Sequence, residues 1–326
     1  MTKVGASQEG SLPATIAIVG PTAIGKSRFA MRLASEIPAE IISADSRQVY
    51  RFLDIGTAKP TTGDRALVPH HLVDVVTPDE TYSVGRFRGD ALEALGSIAA
   101  RDRVALVVGG SGHYVRTLLA GLTLPPAPPD PSVRAAVEIR MQREGLAGLM
   151  DSIARVDPAT ANRLDTSNTR RVIRALEIIE STGGPIPRVQ SNPIPALRIG
   201  LTMERRLLYD VADRRVEAQF EDGLVDELRR VLAMGYDAEL APLRGLAYRQ
   251  AADYLSRRVD LRDAIQAYKY ATHNLIRRQE TWFRREPQLI RVDVNSRQAW
   301  DDIRRLTHDY LSLEGQQSAG IQMPRC

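Results

Sequence analysis

The chain has 326 residues, 43% hydrophobic and 26% charged, a balance that excludes wholesale disorder and allows one large domain or two smaller ones. Its 44 lysines and arginines against 40 acidic residues leave a formal charge of +4, which permits a nucleic-acid partner without requiring one. A single cysteine, Cys326, excludes an internal disulfide framework and a cysteine-built metal site; no apolar run approaches the roughly 18 residues of a membrane span, and Met1–Leu12 lacks a signal peptide's apolar stretch, so a soluble cytoplasmic protein is expected.

The apolar run Thr15–Gly20 reads as a buried parallel strand, followed by a helix over Lys26–Ile37. Glu40–Asp45 is a second strand ending in a carboxylate. A loop-rich stretch to Tyr82 leads into a helix over Val84–Ala100, a third buried strand over Val104–Gly110 and a helix over Gly112–Ala120. This alternation specifies a right-handed, parallel α/β sheet. Five prolines in Leu124–Pro131 then mark a boundary. Helical patterns follow over Val133–Glu144, Leu146–Val156, Pro158–Leu164 and Thr169–Ser181, and Gly183–Pro195 closes the segment. Leu197–Met203 resumes a strand. Long helical patterns cover Glu204–Met234, Ala247–Arg257 and Arg262–Arg285, before a short strand at Leu289–Val294 and a helix at Arg297–Leu311. The expected organisation is a discontinuous α/β core over residues 12–124 and 196–314, an inserted all-helical subdomain over 125–195, and disordered tails at 1–11 and 315–326.

Gly20-Pro21-Thr22-Ala23-Ile24-Gly25-Lys26-Ser27 matches GxxxxGK[ST] directly after a buried strand and at the opening of a helix. Its glycines let backbone N–H groups curl around an anion, the helix N-terminus adds partial positive charge, Lys26 reaches terminal phosphate oxygens and Ser27 can coordinate Mg²⁺. Only four lysines occur in the chain (Lys3, Lys26, Lys59 and Lys269), which makes one at this position more telling. The core is therefore expected to be P-loop NTPase-like. The third strand ends in Gly109, Gly110 and Ser111 rather than the metal-holding Asp of an ATPase; the acid is Asp45, at the end of the second strand. Asp45 reads either as a catalytic carboxylate at the ligand-bearing edge of the sheet or as a turn cap in ADSRQ. On the loop alone, an ATP-dependent small-molecule kinase and a non-enzymatic RNA-binding switch both stand as alternatives to a transferase.

Asp45-Ser46-Arg47-Gln48-Val49-Tyr50, Asp54-Ile55-Gly56-Thr57-Ala58-Lys59-Pro60, Pro69-His70-His71-Leu72-Val73-Asp74 and Gly109-Gly110-Ser111-Gly112-His113-Tyr114 follow the phosphate loop in order. Asn168–Glu177 and Arg277–Arg284 continue the series. The whole resembles the tRNA dimethylallyltransferases (tRNA isopentenyltransferases) from Ile16 to about Glu286. The departures are Ser111 for threonine, His113 for leucine, Ala247 for glycine and Val211 for an arginine.

The resemblance implies transfer of a dimethylallyl group from dimethylallyl diphosphate to N6 of the adenosine 3′-adjacent to the anticodon, with Mg²⁺ and release of pyrophosphate. It implies catalytic roles for Asp45, Thr22, Lys26 and Ser111, and diphosphate binding by Gly20 through Ser27 with Arg215. It implies tRNA contacts by Asp45, Ser46, Arg47, Gln48, Ser111, Arg134, Arg170, Arg171, Val172, Ile173, Arg174, Arg244, Tyr248, Arg249, Arg277, Arg278, Gln279, Trp282 and Arg284, with no membrane partner and a monomeric enzyme. Arg214, Arg229, Arg230, Arg257 and Arg258 read as solvated helix faces. His70 and His71 have no Cys or His partner at ligand spacing and read as structural.

Overall fold

A computed structural model describes residues 12–125, 130–286 and 288–318. The strands are β1 (Thr15–Val19), β2 (Ala39–Ser43), β3 (His70–His71), β4 (Val104–Gly109), β5 (Leu197–Thr202) and β6 (Ile290–Asp293). The helices are α1 (Lys26–Ala34), α2 (Thr62–Leu67), α3 (Val84–Ala99), α4 (Gly112–Leu119), α5 (Pro131–Val156), α6 (Pro158–Arg163), α7 (Thr169–Thr182), α8 (Arg205–Glu221), α9 (Leu224–Ala233), α10 (Tyr248–Leu255), α11 (Leu261–Arg284) and α12 (Ala299–Ser318). They divide into two units: Met1–Leu119 with Ile194–Cys326, and Ala120–Pro193.

The first unit is built on one sheet in the order β3-β2-β4-β1-β5-β6, every neighbouring pair parallel. The central strands are buried on both faces, as their unbroken apolar runs require. Ile16 and Ile18 of β1 join Ile41, Leu106, Ile199, Phe29 and Leu208 on one side. Ala17 and Val19 join Ile42, Val107, Phe87, Leu118 and Leu228 on the other. Because all strands run the same way, the segments after β1, β2, β4, β5 and β6 leave at one carboxyl edge, where ligands of open α/β sheets bind.

In the second unit α5 and α7 pack through Val137, Leu149, Ile153, Val172, Ala175, Leu176 and Ile179, all buried. Gly145 interrupts α5 at φ 68° and ψ −177°, where the sequence pattern broke between Glu144 and Leu146. Its two terminal segments pair: Thr123 N–H donates to Gln190 O at 2.9 Å and Asn192 N–H to Gly121 O at 3.2 Å. A side chain at Gly121 would lie 1.7 Å from the Asn192 carbonyl, so only glycine permits this approach.

The structure departs from the sequence expectations at four places. The loop-rich stretch to Tyr82 contains α2, closed by a capping box between Thr61 and Asp64, and β3, a two-residue strand too short to show periodicity. The long pattern over Glu204–Met234 splits into α8 and α9 at Gly223, whose φ is 97°. The expected tail from residue 315 is helical to Ser318, because one glycine costs a helix about 1 kcal/mol without ending it. Residues 1–11 and 319–326 lie outside the described residues. Among those described, no helix is long and apolar enough to cross a membrane.

Candidate active site

The turn after β1 depends on two glycines at positive φ, Gly20 at 152° and Gly25 at 92°. A side chain at Gly20 would sit 2.9 Å from the Leu201 carbonyl. Gly25 is the N-cap of α1 and no side chain caps that helix, which leaves its first amides for an anion. Thr22, Ala23, Gly25, Lys26 and Ser27 line a cavity of about 280 Å³. Gly20 and Pro21 back onto a second cavity, and the Ile24 side chain is buried in the core, so Gly20 and Ile24 can offer a phosphate only a backbone N–H, and Pro21, which has none, shapes the turn. Lys26 Nζ donates to Pro21 O at 2.7 Å. Burial lowers its pKa from 10.5 to about 8, against the attraction of Asp45 and with help from the like charge of Arg215.

Asp45 leaves the sheet two residues after β2 and lines the same cavity as the loop. Its Oδ1 accepts from Arg47 N–H at 2.9 Å, so it caps the ADSRQ turn as well as facing the cradle. The two sequence readings of this residue coincide in one side chain. Ser111, after β4, accepts from Ser46 N–H at 3.1 Å through its Oγ. It adjoins the Asp45 segment but does not line the cavity. Arg215 and Gln219 of α8 and Tyr268 and Thr272 of α11 form another wall, with apolar surface from Ala212, Val216, Leu246 and Leu275.

The remaining wall, Gly56–Ala58, is held by a residue that the sequence reading missed. Glu227 of α9 is buried, and its carboxylate accepts from the N–H groups of Asp54, Ile55 and Gly56 at 2.9, 2.8 and 3.2 Å. It also accepts from the Tyr248 hydroxyl at 2.7 Å. The available signal was an acid on the buried stripe of α9, between Leu224 and Leu228. Lys59 fixes the other end of this loop, with Nζ donating to Tyr50 O at 2.6 Å, Asp54 at 2.7 Å and Asp74 at 2.5 Å. Replacing Glu227 by alanine strands four donors, and a destabilisation of about 3 kcal/mol is expected in denaturant unfolding.

Among the described residues no group of three or more His, Cys, Asp or Glu is placed to hold a metal ion. His71 Nε2 lies 2.7 Å from Glu40, and His70 Nδ1 lies 2.7 Å from Val68 O, so both imidazoles are engaged within the fold. The hydroxyl of Ser27 and the carboxylate of Asp45 both line the phosphate cavity. That sparse oxygen set fits a hard cation that takes its other ligands from substrate phosphates and water.

The family described as IPP transferase matches residues 48–286, and that described as isopentenyl transferase matches residues 13–66. The chain belongs to the tRNA dimethylallyltransferase family. The tRNA dimethylallyltransferase of Roseiflexus sp. (strain RS-1) is 46% identical over 284 residues, 86% of this chain and 93% of the relative. That of Thermomicrobium roseum is 43% identical over 292 residues, 89% of each. The crystal structure of the full-length tRNA isopentenylpyrophosphate transferase from Bacillus halodurans superposes with a TM-score of 0.70 at 36% identity, over 94% of this chain and 99% of that one. The kinase alternative has no support among these relatives.

For this dimethylallyltransferase the residues expected on tRNA fall into distinct settings. Arg170, Arg171, Arg244, Arg249, Arg277, Arg278 and Arg284 are exposed, as is Ser46. Within the second unit, Arg134 and Arg174 contact the fully buried Glu177 at 3.1 and 2.9 Å. Ile173 is half-buried beside them, and Val172 is in the core, where it packs α7. Tyr248 is also enclosed by the protein. It is fully buried with its ring against Gly56, where a side chain would come within 2.5 Å of it, so in this structure it cannot stack on a base.

Four more of these residues are engaged by the protein itself. Gln48 accepts from Ser43 Oγ at 2.9 Å and donates to Ala58 O at 3.1 Å, and the Arg47 guanidinium lies against Gly245. Gln279 accepts from Thr22 N–H at 2.8 Å and donates to Gly110 O at 2.9 Å, bridging the phosphate loop and the end of β4. Trp282 packs on Gly112, where a side chain would come within 2.2 Å of the indole.

Of the departures from the family pattern, His113 is exposed and Val211 half-buried. Ala247 has φ 74° and ψ −62°, a region that costs a side-chain-bearing residue about 1–3 kcal/mol. Its methyl is fully buried, which offsets part of any gain from its removal. Ala247→Gly is expected to stabilise the protein by about 1 kcal/mol in denaturant unfolding.

Proposed function

We propose that this enzyme transfers the dimethylallyl group of dimethylallyl diphosphate to N6 of the adenosine 3′-adjacent to the tRNA anticodon. One observation carries the reading: a single cavity joins a cationic phosphate cradle, a carboxylate and an apolar wall. The diphosphate head fits the amides of the loop with Lys26, Ser27 and Arg215. The five-carbon tail fits Ala212, Val216, Leu246 and Leu275. The adenine must leave its stack to present its amine at such a depth. The C1–O bond breaks as the C1–N6 bond forms, pyrophosphate departs into the cradle, and the N6 proton passes to Asp45. Thr22 hydrogen-bonds the departing oxygen, and Ser111 steadies the Asp45 segment through Ser46.

Mg²⁺, when bound with the diphosphate beside Ser27, neutralises charge on the leaving group. The exposed arginines of α7, α11 and the Arg244–Arg249 segment supply phosphate contacts, with the helical unit gripping the RNA. The enzyme works as a cytoplasmic monomer. The test is incubation with unmodified tRNA, Mg²⁺ and labelled dimethylallyl diphosphate, without ATP, followed by nucleoside mass analysis. A dimethylallyl adenosine with equimolar pyrophosphate is expected; product formation only with ATP and release of ADP would overturn the proposal.

A further inference from the structure

A second cationic feature lies at the same carboxyl edge. A trough of about 350 Å³ is lined by Arg28, Arg32, Arg297, Phe29, Val294 and Trp300, among others. Arg28 lies in the first turn of α1 and Arg32 one turn on, in its last, and Arg297 follows β6, just before α12. The Arg32 guanidinium lies 4.0 Å from the Trp300 ring centroid, and Arg28 lies 5.4 Å from that of Phe29. Phe29 and Trp300 are themselves stacked, with centroids 6.3 Å apart.

Neighbouring charged side chains form opposite-sign pairs: Glu36 with Arg304 at 2.9 Å and Asp302 with Arg305 at 2.9 Å. No carboxylate pairs with Arg28, Arg32 or Arg297 among the described residues. A guanidinium laid flat on an aromatic ring keeps its edge N–H groups for an outside acceptor and loses little freedom on meeting one. Here the aromatic platform carries two positive charges, Arg28 and Arg32, and Arg297 lines the same trough, with no carboxylate paired to any of the three among the described residues.

We propose that Arg28 and Arg32, seated on Phe29 and Trp300, bind the phosphate backbone of the RNA substrate beside the cavity together with Arg297. This rests on the tRNA reading above and extends it to residues that the family motifs do not include. Two features favour a polyanion strand over a small anion. The charges are strung along an open trough rather than converging in a buried pocket. Arg28 and Arg32, at i and i+4, are about 6 Å apart at Cβ, on the order of the spacing of successive phosphates. Arg28 also lines the phosphate cavity, so the trough adjoins the site where the adenosine must arrive.

The test compares the wild-type enzyme with the double variant Arg32→Glu/Arg297→Glu. Arg229→Glu/Arg230→Glu on α9, two exposed arginines away from both cavities, makes the same change in net charge. Binding of full-length tRNA is measured from 50 to 300 mM KCl, together with KM for tRNA and for dimethylallyl diphosphate. At about 100 mM salt the trough variant should bind tRNA about 10-fold more weakly. The slope of log K against log salt should shallow by about 0.7–0.9 per lost phosphate contact. KM should rise for tRNA and hold for dimethylallyl diphosphate. Trp300→Ala should give a smaller loss in the same direction, by unseating Arg32. Wild-type affinity and slope in the trough variant would overturn the proposal, as would an equal loss in the α9 variant, which would reduce the effect to net charge. If the wild-type enzyme neither bound nor prenylated tRNA, the functional reading itself would fall, a result distinct from either of these.

Discussion

Asp45→Asn is expected to lower the rate of prenyl transfer by about 100-fold or more while tRNA affinity stays within about threefold of wild type. The comparison isolates one property of the side chain. Asparagine keeps an oxygen for the Arg47 N–H, now at 2.9 Å from Oδ1, so the turn that aims residues 45–48 survives. What it lacks is a basic oxygen for the N6 proton. The adenine amine has its lone pair delocalised into the ring, so attack on C1 depends on removing that proton as the bond forms. Asp45→Ala removes both functions and should cost a further fraction of activity through the turn. Single-turnover rates at saturating tRNA and dimethylallyl diphosphate separate the two contributions. Near-wild-type turnover in Asp45→Asn would place the base elsewhere and leave Asp45 as a turn cap only.

The parts of this site that were legible in the sequence are those where a local rule binds several neighbouring residues. The phosphate loop is legible because strand, glycine turn and helix must be contiguous, and β1, Gly20–Gly25 and α1 are. The central strands are legible because burial on both faces demands unbroken apolar runs. The helical unit is legible from its proline border and its 3.6-residue period. The misses have the opposite character. Glu227 is 171 residues from Gly56, and its role exists only once α9 packs beneath that loop. Gln279 joins Thr22 to Gly110 across 257 and 169 residues. Tyr248 and Val172 are expected on RNA from the motifs that contain them, and their burial is visible only in the fold. A motif records which residues a site depends on without separating those that touch a ligand from those that hold the touching residues in place. The aromatic trough shows the converse: Phe29 and Trp300 are separated by most of the chain, and no motif contains both.

Lys26→Met is expected to weaken pyrophosphate binding and slow transfer by about 100-fold or more, yet to raise the stability of the protein alone. The sign follows from the proton. Burial lowers the Lys26 pKa from 10.5 to about 8, so the folded state holds this proton less tightly than the unfolded chain does. Below about pH 8 the lysine is charged in both states, and the fold bears the full cost of desolvating it. Between about pH 8 and 10.5 the folded state sheds the proton first and the cost fades, vanishing where both states are neutral. Methionine has no charge to bury, so its advantage should be on the order of 1–2 kcal/mol at pH 7, after allowance for solvent screening, and should shrink as the pH rises through that window. Denaturant unfolding of both proteins from pH 6 to 10 measures it; a pH-independent difference would mean that the ammonium is not strained in the cradle. Ligand binding has the complementary sign. An anion in the cradle favours the charged lysine, so above about pH 8 pyrophosphate binding should draw in a proton and weaken with rising pH. Calorimetry in two buffers of different ionisation heat reads that proton directly, and the Lys26→Met enzyme subtracts the proton chemistry of pyrophosphate itself. The same burial that makes Lys26 costly to the fold at neutral pH, where it donates to Pro21 O, would make its charge effective against a departing diphosphate.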